Sequence, residues 1–243
     1  MIQKVIKFEV LDSTNNYVAK ALKSGKYGVN DVILAGFQTE GRGQRGNIWQ
    51  GEFGKNLTFS FAILSNFIQL DGQFTVSKAI SVGIAKYLEQ ATNCKVSVKW
   101  PNDILLNNQK ISGILLESTI VDRIRYIIIG IGLNVNQTSF QTSNNATSLI
   151  LELGHSLNLD EELEQLLEFL YFEIGLIKKN RIAEIEDDYF IRLKGTDSFI
   201  RFSENGRSYE GLITSVDQAG SIRVKSKQGQ VKTYRTGEVK INY

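Results

Sequence analysis

The chain has one cysteine, Cys94, one proline, Pro101, one histidine, His155, and one methionine among its 243 residues. A lone cysteine excludes an internal disulfide and fits a reducing compartment. One cysteine and one histidine exclude the usual zinc site, which needs several of each. They also leave little room for a Ser-His-Asp nucleophile system. His155 lies in a polar Gly-His-Ser setting and reads as a surface residue. Long apolar runs are missing too. The most apolar short segment, YIIIGIGL at 126–133, falls far below the roughly 20 residues of a membrane span. The opening MIQKVIKFEV has no apolar stretch leading to a small-residue cleavage site. Neither sign of charge dominates: 28 basic against 26 acidic side chains, net +2. That balance argues against non-specific nucleic-acid or membrane binding as the main role. A soluble cytoplasmic protein is expected, with no nucleic-acid and no membrane partner.

What is present is a globular pattern, with an apolar fraction of 42%, enough for a substantial core. Residues 4–10 alternate as a strand does. Asp12 and Ser13 then precede apolar residues at helical spacing, Tyr17, Val18, Ala21 and Leu22, so one of them is expected to cap a helix that stops at Gly25. Strands are expected over 31–37, 57–64, 95–100, 103–107, 110–117 and 124–131. Helices are expected over 74–91 and 159–178, and loops over 38–56 and 134–148. From about residue 195 the texture changes to short alternating segments. Turn signals Glu204-Asn205-Gly206, Gln218-Ala219-Gly220 and Gln228-Gly229 punctuate them, the pattern of a small antiparallel barrel or sandwich. The expected division is an α/β domain over 1–192 and a C-terminal β unit over 193–243, which at about 50 residues is near the lower limit for folding alone.

Two segments carry chemistry. In TEGRGQRGNIW, at 39–49, Gly41, Gly43 and Gly46 let the backbone approach a ligand closely. Arg42 and Arg45 supply forks that match carboxylate and phosphate. The segment is either a mobile cover over an anionic ligand or a charged surface loop. In KWPNDILLNNQKISGILLES, at 99–118, proline fixes a bend after Lys99, and Asn107-Asn108 reads as a tight turn. Lys99 and Lys110 flank that hairpin. Lys99 either bridges two anionic groups or points to water while Trp100 fills the core. No GxxxxGK[ST] loop occurs. GIGLNV at 130–135 begins like GxGxxG but lacks its third glycine, so Gly130 and Gly132 read as close-packing points beside the sheet.

GRGQRGNIW, KWPNDILLNNQKISGILLES and GIGLNVN, in this order, resemble the biotin protein ligase family. DSTN at 12–15, Gln38 and TGEVKI at 236–241 fit it as well. The resemblance covers nearly the whole chain. It implies an α/β (α+β) fold with a mixed-sheet catalytic domain, similar to class II aminoacyl-tRNA synthetases, plus an SH3-like C-terminal barrel. It implies that biotin is activated by ATP to biotinyl-5′-AMP and passed to a lysine of a biotin carboxyl carrier protein, as in acetyl-CoA carboxylase or a related carboxylase. Mg2+ would accompany ATP, mostly on its phosphates, and no protein metal ligand is expected.

By the same resemblance, Lys99 and Arg42 are the candidate catalytic residues. Biotin would meet Ser13, Thr14, Asn15 and Gln38, with Gly41, Arg42, Gly43, Gln44, Lys99 and Gly113. The nucleotide would meet Arg42, Arg45, Gly46, Trp49, Asn102, Lys110 and Asn134. Several have plain alternatives: Ser13 as a cap, Gln38 as a loop residue, Trp49 and Trp100 as core, Asn134 as a turn former. A departure is Gln44, where a well-studied member has arginine; it bears on retention of the adenylate. That member also carries an N-terminal helix-turn-helix that this sequence does not show, so operator binding is not expected. A homodimer through the sheet is a further expectation. The alternatives are a lipoate or octanoate ligase of the same fold and a non-catalytic biotin-sensing regulator. For a covering loop, amides over 40–50 should exchange fast in the free protein and become protected with ligand, as hydrogen exchange would measure; equal exchange in both states contradicts it.

Overall fold

The computed structural model describes residues 4–66, 68, 72–122, 124–140 and 145–242. Strand β1 (Val5–Leu11) lies parallel to β2 (Val32–Gln38), with α1 (Thr14–Ser24) as the crossover between them. Gly25 ends α1 in a left-handed C-cap, its N–H on the carbonyls of Ala21 and Leu22. Then follow β3 (Leu57–Leu64), α2 (Gln73–Thr92), β4 (Val96–Lys99), β5 (Asp103–Leu106), β6 (Gln109–Val121) and β7 (Ile124–Leu133). The sheet is seven-stranded, ordered β1-β2-β3-β7-β6-β5-β4, and every pair after β1/β2 is antiparallel. Asn107 and Asn108 both take positive φ, 48° and 68°, the geometry of a tight hairpin turn.

Side-chain alternation splits the sheet into two faces. Ile127, Ile129, Ile131 and Leu133 of β7, with Leu57, Phe59, Phe61 and Ile63 of β3, enter the main core. That core lies under α2 and α4 (Leu159–Lys178). On the other face Ile128 and Ala62 pack with Val18 of α1. Further along that second face the apolar residues give way to Thr58, Ser60, Gly130 and Gly132, and the site forms there.

The sequence patterning gives no element for residues 149–158 or 179–194, where the structure has α3 (Leu149–Leu153) and α5 (Ile182–Arg192). α3 is too short to show a period. In α5 the buried residues Ile185 and Tyr189 are spaced helically but diluted by acidic neighbours. Charges of α5 pair with α2: Asp188 with Lys86 at 2.6 Å and Arg192 with Glu89 at 2.9 Å. Burial alone would lower the Lys86 pKa, but Asp188 and Glu173 outweigh it and hold the ammonium above its ordinary value.

The last strands form a separate antiparallel sheet: β8 (Ile200–Glu204), β9 (Arg207–Val216), β10 (Ile222–Ser226), β11 (Val231–Tyr234) and β12 (Lys240–Asn242). Their order is β11-β10-β9-β8-β12. The three turn signals fall at the first three connections. A closed barrel is not part of the pairing among the described residues. No helix among them is long and apolar enough to cross a membrane.

The small sheet is joined to the large one beside the Lys99 bend. Lys194 N–H donates to Val98 O at 2.9 Å. The buried Trp100 indole N–H donates to Gly220 O, in the β9–β10 turn, at 2.9 Å. Lys78 of α2, only 2% exposed, donates to Val216 O at 3.2 Å and Glu186 Oε1 at 3.1 Å. Trp100→Phe stays aromatic but deletes the donor and part of the ring, leaving a buried carbonyl bare beside a small void. It should lower the unfolding free energy by at least about 1–2 kcal/mol from the lost bond alone, read from urea midpoints; an unchanged midpoint contradicts the role of this bond.

Candidate functional site

The site is built on the open stretch of the second sheet face, between the start of α1 and the glycine-rich segment. Thr14 donates through its backbone N–H and its Oγ1 to Gln38 Oε1, at 2.7 and 3.0 Å. Its Oγ1 also lies 2.6 Å from Ser60 Oγ, which donates to Asn15 Oδ1 at 2.6 Å. Two hydroxyl protons serve three contacts here, so Thr14 shares one proton between Gln38 and Ser60. Asn15 Nδ2 in turn donates to Glu117 Oε2 at 2.7 Å. Ser13, Thr14 and Asn15 are all buried. Ser13 holds the N-cap position of α1 without a side-chain cap bond, which corrects the capping expectation; its side chain borders the cleft instead. Its backbone N–H donates to Asp12 Oδ1 at 2.7 Å and thereby holds the Asp12 carboxyl below its usual pKa.

Glycine is required at two points of the floor. A Cβ at Gly130 would collide with the Asn15 amide, and one at Gly132 with the Trp49 indole. The same indole lies over Gly113, with Lys110 Nζ 5.8 Å from its ring centre. Its Nε1 is buried and has no hydrogen-bond partner among the described residues. Gly130 and Gly132 are thus close-packing points, and they admit site residues.

At the far end, the β4–β5 bend and the β5–β6 hairpin bring two ammonium groups to one carboxylate. Asp103 Oδ1 is 2.7 Å from Lys110 Nζ, and Asp103 Oδ2 is 3.8 Å from Lys99 Nζ. Asn102 is fixed by donating to Ile114 O at 2.8 Å. Burial, and then the charges of Lys99 and Lys95, push the nearby Lys194 below the ordinary lysine pKa. This edge therefore carries more positive charge than its carboxylate answers. Among the described residues no three His, Cys, Asp or Glu side chains converge as a metal site.

The glycine-rich segment folds across the cleft. Gly43 N–H donates to Asn47 O at 2.7 Å and Trp49 N–H to Gly41 O at 3.0 Å. A short 3-10 turn, Gln44–Gly46, lies between, with Arg45 at φ 58°. Arg42 donates to Glu117 Oε2 at 2.7 Å, which ties the segment to β6.

The cleft has a cavity volume of about 120 Å³. Of the residues expected from sequence, Ser13, Thr14, Asn15, Gln38, Asn102 and Gly113 border it. So do Arg42, Gly43, Gln44, Trp49 and Lys110. Five do not. Gly41 sits behind it, bonded to Trp49. Lys99 lies beyond Asp103. Arg45 turns its guanidinium against Gly237 of the C-terminal segment, and Gly46 closes the 3-10 turn. Asn134 is buried, donates to Thr147 O at 3.0 Å, and shapes a turn. Sequence reasoning missed Ser60, Asp103 and Glu117. Glu117 was accessible by period: Gly113, Leu115 and Glu117 share one face of β6.

A family profile described as Biotin/lipoate A/B protein ligase family matches residues 7–134. The bifunctional ligase/repressor BirA of Bacillus subtilis is 30% identical over 243 residues, covering 96% of this chain and 73% of the relative. The biotin–[acetyl-CoA-carboxylase] ligase of Mycobacterium tuberculosis is 27% identical over 217 residues, covering 86% and 79%. The solved biotin protein ligase from Aquifex aeolicus in complex with biotin and ATP superposes with a TM-score of 0.82 at 23% identity, covering 99% of each chain. With the fold shared and the profile spanning the sheet that carries the cleft, the chain belongs to the biotin/lipoate A/B protein ligase family.

Proposed function

We propose that this protein is a biotin–protein ligase. It joins biotin and ATP into biotinyl-5′-AMP, then transfers the biotinyl group to a lysine of a biotin carboxyl carrier protein. One observation carries the reading: a single cleft has a buried chain of hydroxyls and amides at one end and a cluster of cations at the other. Biotin's ureido ring offers two donors and one acceptor. The Ser13–Thr14–Asn15 end, with Gln38, supplies complementary groups away from water. The valeryl chain would run over the Gly113–Gly132 floor beside Trp49 and deliver its carboxylate to the cationic end.

There the chemistry is an anion attacking an anion. A biotin carboxylate oxygen bonds to the α-phosphorus of ATP, and the bond from that phosphorus to the bridging oxygen breaks, releasing pyrophosphate. Lys99, Lys110 and Arg42 reduce the repulsion and stabilise the charge that builds on the phosphoryl oxygens. Magnesium travels with the nucleotide: Asp103 is already matched by two ammonium groups and is a poor candidate to hold it. The covering segment keeps water from the mixed anhydride. In the second step a neutral carrier amine attacks the biotinyl carbonyl, AMP leaves with the electron pair of the broken bond, and the nitrogen gives up one proton to water as the amide forms. In this reading residues 1–192 bind and activate, and residues 193–243 form the C-terminal unit. No feature of the cleft favours a lipoate or octanoate substrate.

The test is incubation of the protein with ATP, a carrier domain, and either biotin or lipoate, followed by mass spectrometry of the carrier. Biotinylation is expected. Modification by lipoate alone, or biotin binding without pyrophosphate release, overturns the proposal. Lys99→Ala should lower pyrophosphate release by about a hundredfold or more with an unchanged unfolding midpoint. Near-normal release by that variant removes Lys99 from its role.

A further inference from the structure

We infer that the buried polar end of the cleft is one proton short, and that Ser60, standing behind the cleft, makes it so and thereby selects a ligand ring that carries N–H donors. This deepens the proposed function and rests on it. Three oxygen–oxygen contacts run in a row: Gln38 Oε1 to Thr14 Oγ1 at 3.0 Å, Thr14 Oγ1 to Ser60 Oγ at 2.6 Å, and Ser60 Oγ to Asn15 Oδ1 at 2.6 Å. Both ends of the row are fixed as acceptors. Gln38 Oε1 receives the Thr14 backbone N–H at 2.7 Å, so its oxygen and not its amide nitrogen faces Thr14. Asn15 Nδ2 lies 2.7 Å from Glu117 Oε2. An ionised carboxylate only accepts, so Asn15 turns its oxygen to Ser60.

Between those two acceptors stand two hydroxyls with one proton each. Ser60 spends its proton on Asn15. Thr14 has a single proton for Ser60 and Gln38, and the shorter contact takes the larger share. The contact left short of a proton is the one between Thr14 and Gln38. Both of these residues border the cleft, whereas Ser60 is fully buried behind them. Water reaching an open cleft can donate there, so a ligand that displaces water must bring the donor itself. A ring N–H does so, donating to Thr14 Oγ1 and Gln38 Oε1. A dithiolane ring has no donor and leaves two acceptors facing each other out of water, which is costly. Ser60 is thus a positioning residue that sets the Thr14 hydroxyl to accept from the ligand.

The experiment uses titration calorimetry with biotin and its two lactam analogues, each with one ring N–H replaced by CH2. Wild type is expected to bind the lactam that lacks the required donor about a hundredfold more weakly than biotin, or worse. Ser60→Ala removes two contacts and one proton, so the Thr14 hydroxyl bonds Gln38 and the shortage ends. The gap between biotin and that lactam should then shrink about five- to tenfold. Asn15 loses a partner in free and bound protein alike, which cancels from the comparison. In a Thr14→Val background, Ser60→Ala should leave the gap unchanged, because Ser60 acts through Thr14. Ser60→Cys keeps the shape with a weaker donor and gives a second test, with an intermediate gap expected. Equal losses for biotin and both lactams, or a gap that neither variant moves, reduce Ser60 to a structural support and overturn the inference. Wild type binding both lactams as tightly as biotin overturns it too. A wild-type protein that does not bind biotin overturns the ligase reading instead, and this inference with it.

Discussion

Two ammonium groups at one end of a small cleft repel each other unless an anion lies between them. Asp103 is that anion, 2.7 Å from Lys110 and 3.8 Å from Lys99. It sits at the start of β5, where the chain turns back from the edge strand, so the backbone bend and the charge arrangement come from the same few residues. The pairing is unequal: two cations and one carboxylate, with Lys194 and Lys95 close enough to matter. Arg42 is likewise paired with a carboxylate, that of Glu117.

The other constraint is steric. On β7 one face is a row of Ile and Leu that fills the core. The opposite face begins with Ile128 and then drops to Gly130 and Gly132. Removing two side chains there opens the space into which Asn15 and Trp49 descend. The polar chain from Gln38 through Thr14, Ser60 and Asn15 can then be buried with its hydrogen bonds made, as burial of such groups demands.

Much of this could be read from the chain before its fold. The double asparagine announced the hairpin, the alternating faces announced β3 and β7, and α4 begins and ends where its amphipathic period does. What could not be read depends on contacts between distant residues. α5 is held by ion pairs to α2 across about a hundred positions, and no local period records that. Ser13 holds the cap position that its type and place suggested but makes no cap bond there; it borders the cleft, the other use the sequence offered. Arg45 stands in the loop, but its contact with the C-terminal turn at Gly237 is not written in any local pattern. Glu117 was legible in principle from two-residue spacing, but its importance comes from Arg42, 75 positions away.

The joint between the two sheets has a temporal side. Trp100 and Lys78 donate to carbonyls that follow them by 120 and 138 residues. On a ribosome adding roughly 5–20 residues per second, the donors emerge on the order of ten seconds before their acceptors exist. During that interval an indole N–H and a lysine destined for burial have only water or chaperones as company. These two bonds, and the joint they make, therefore form only in the final stretch of translation.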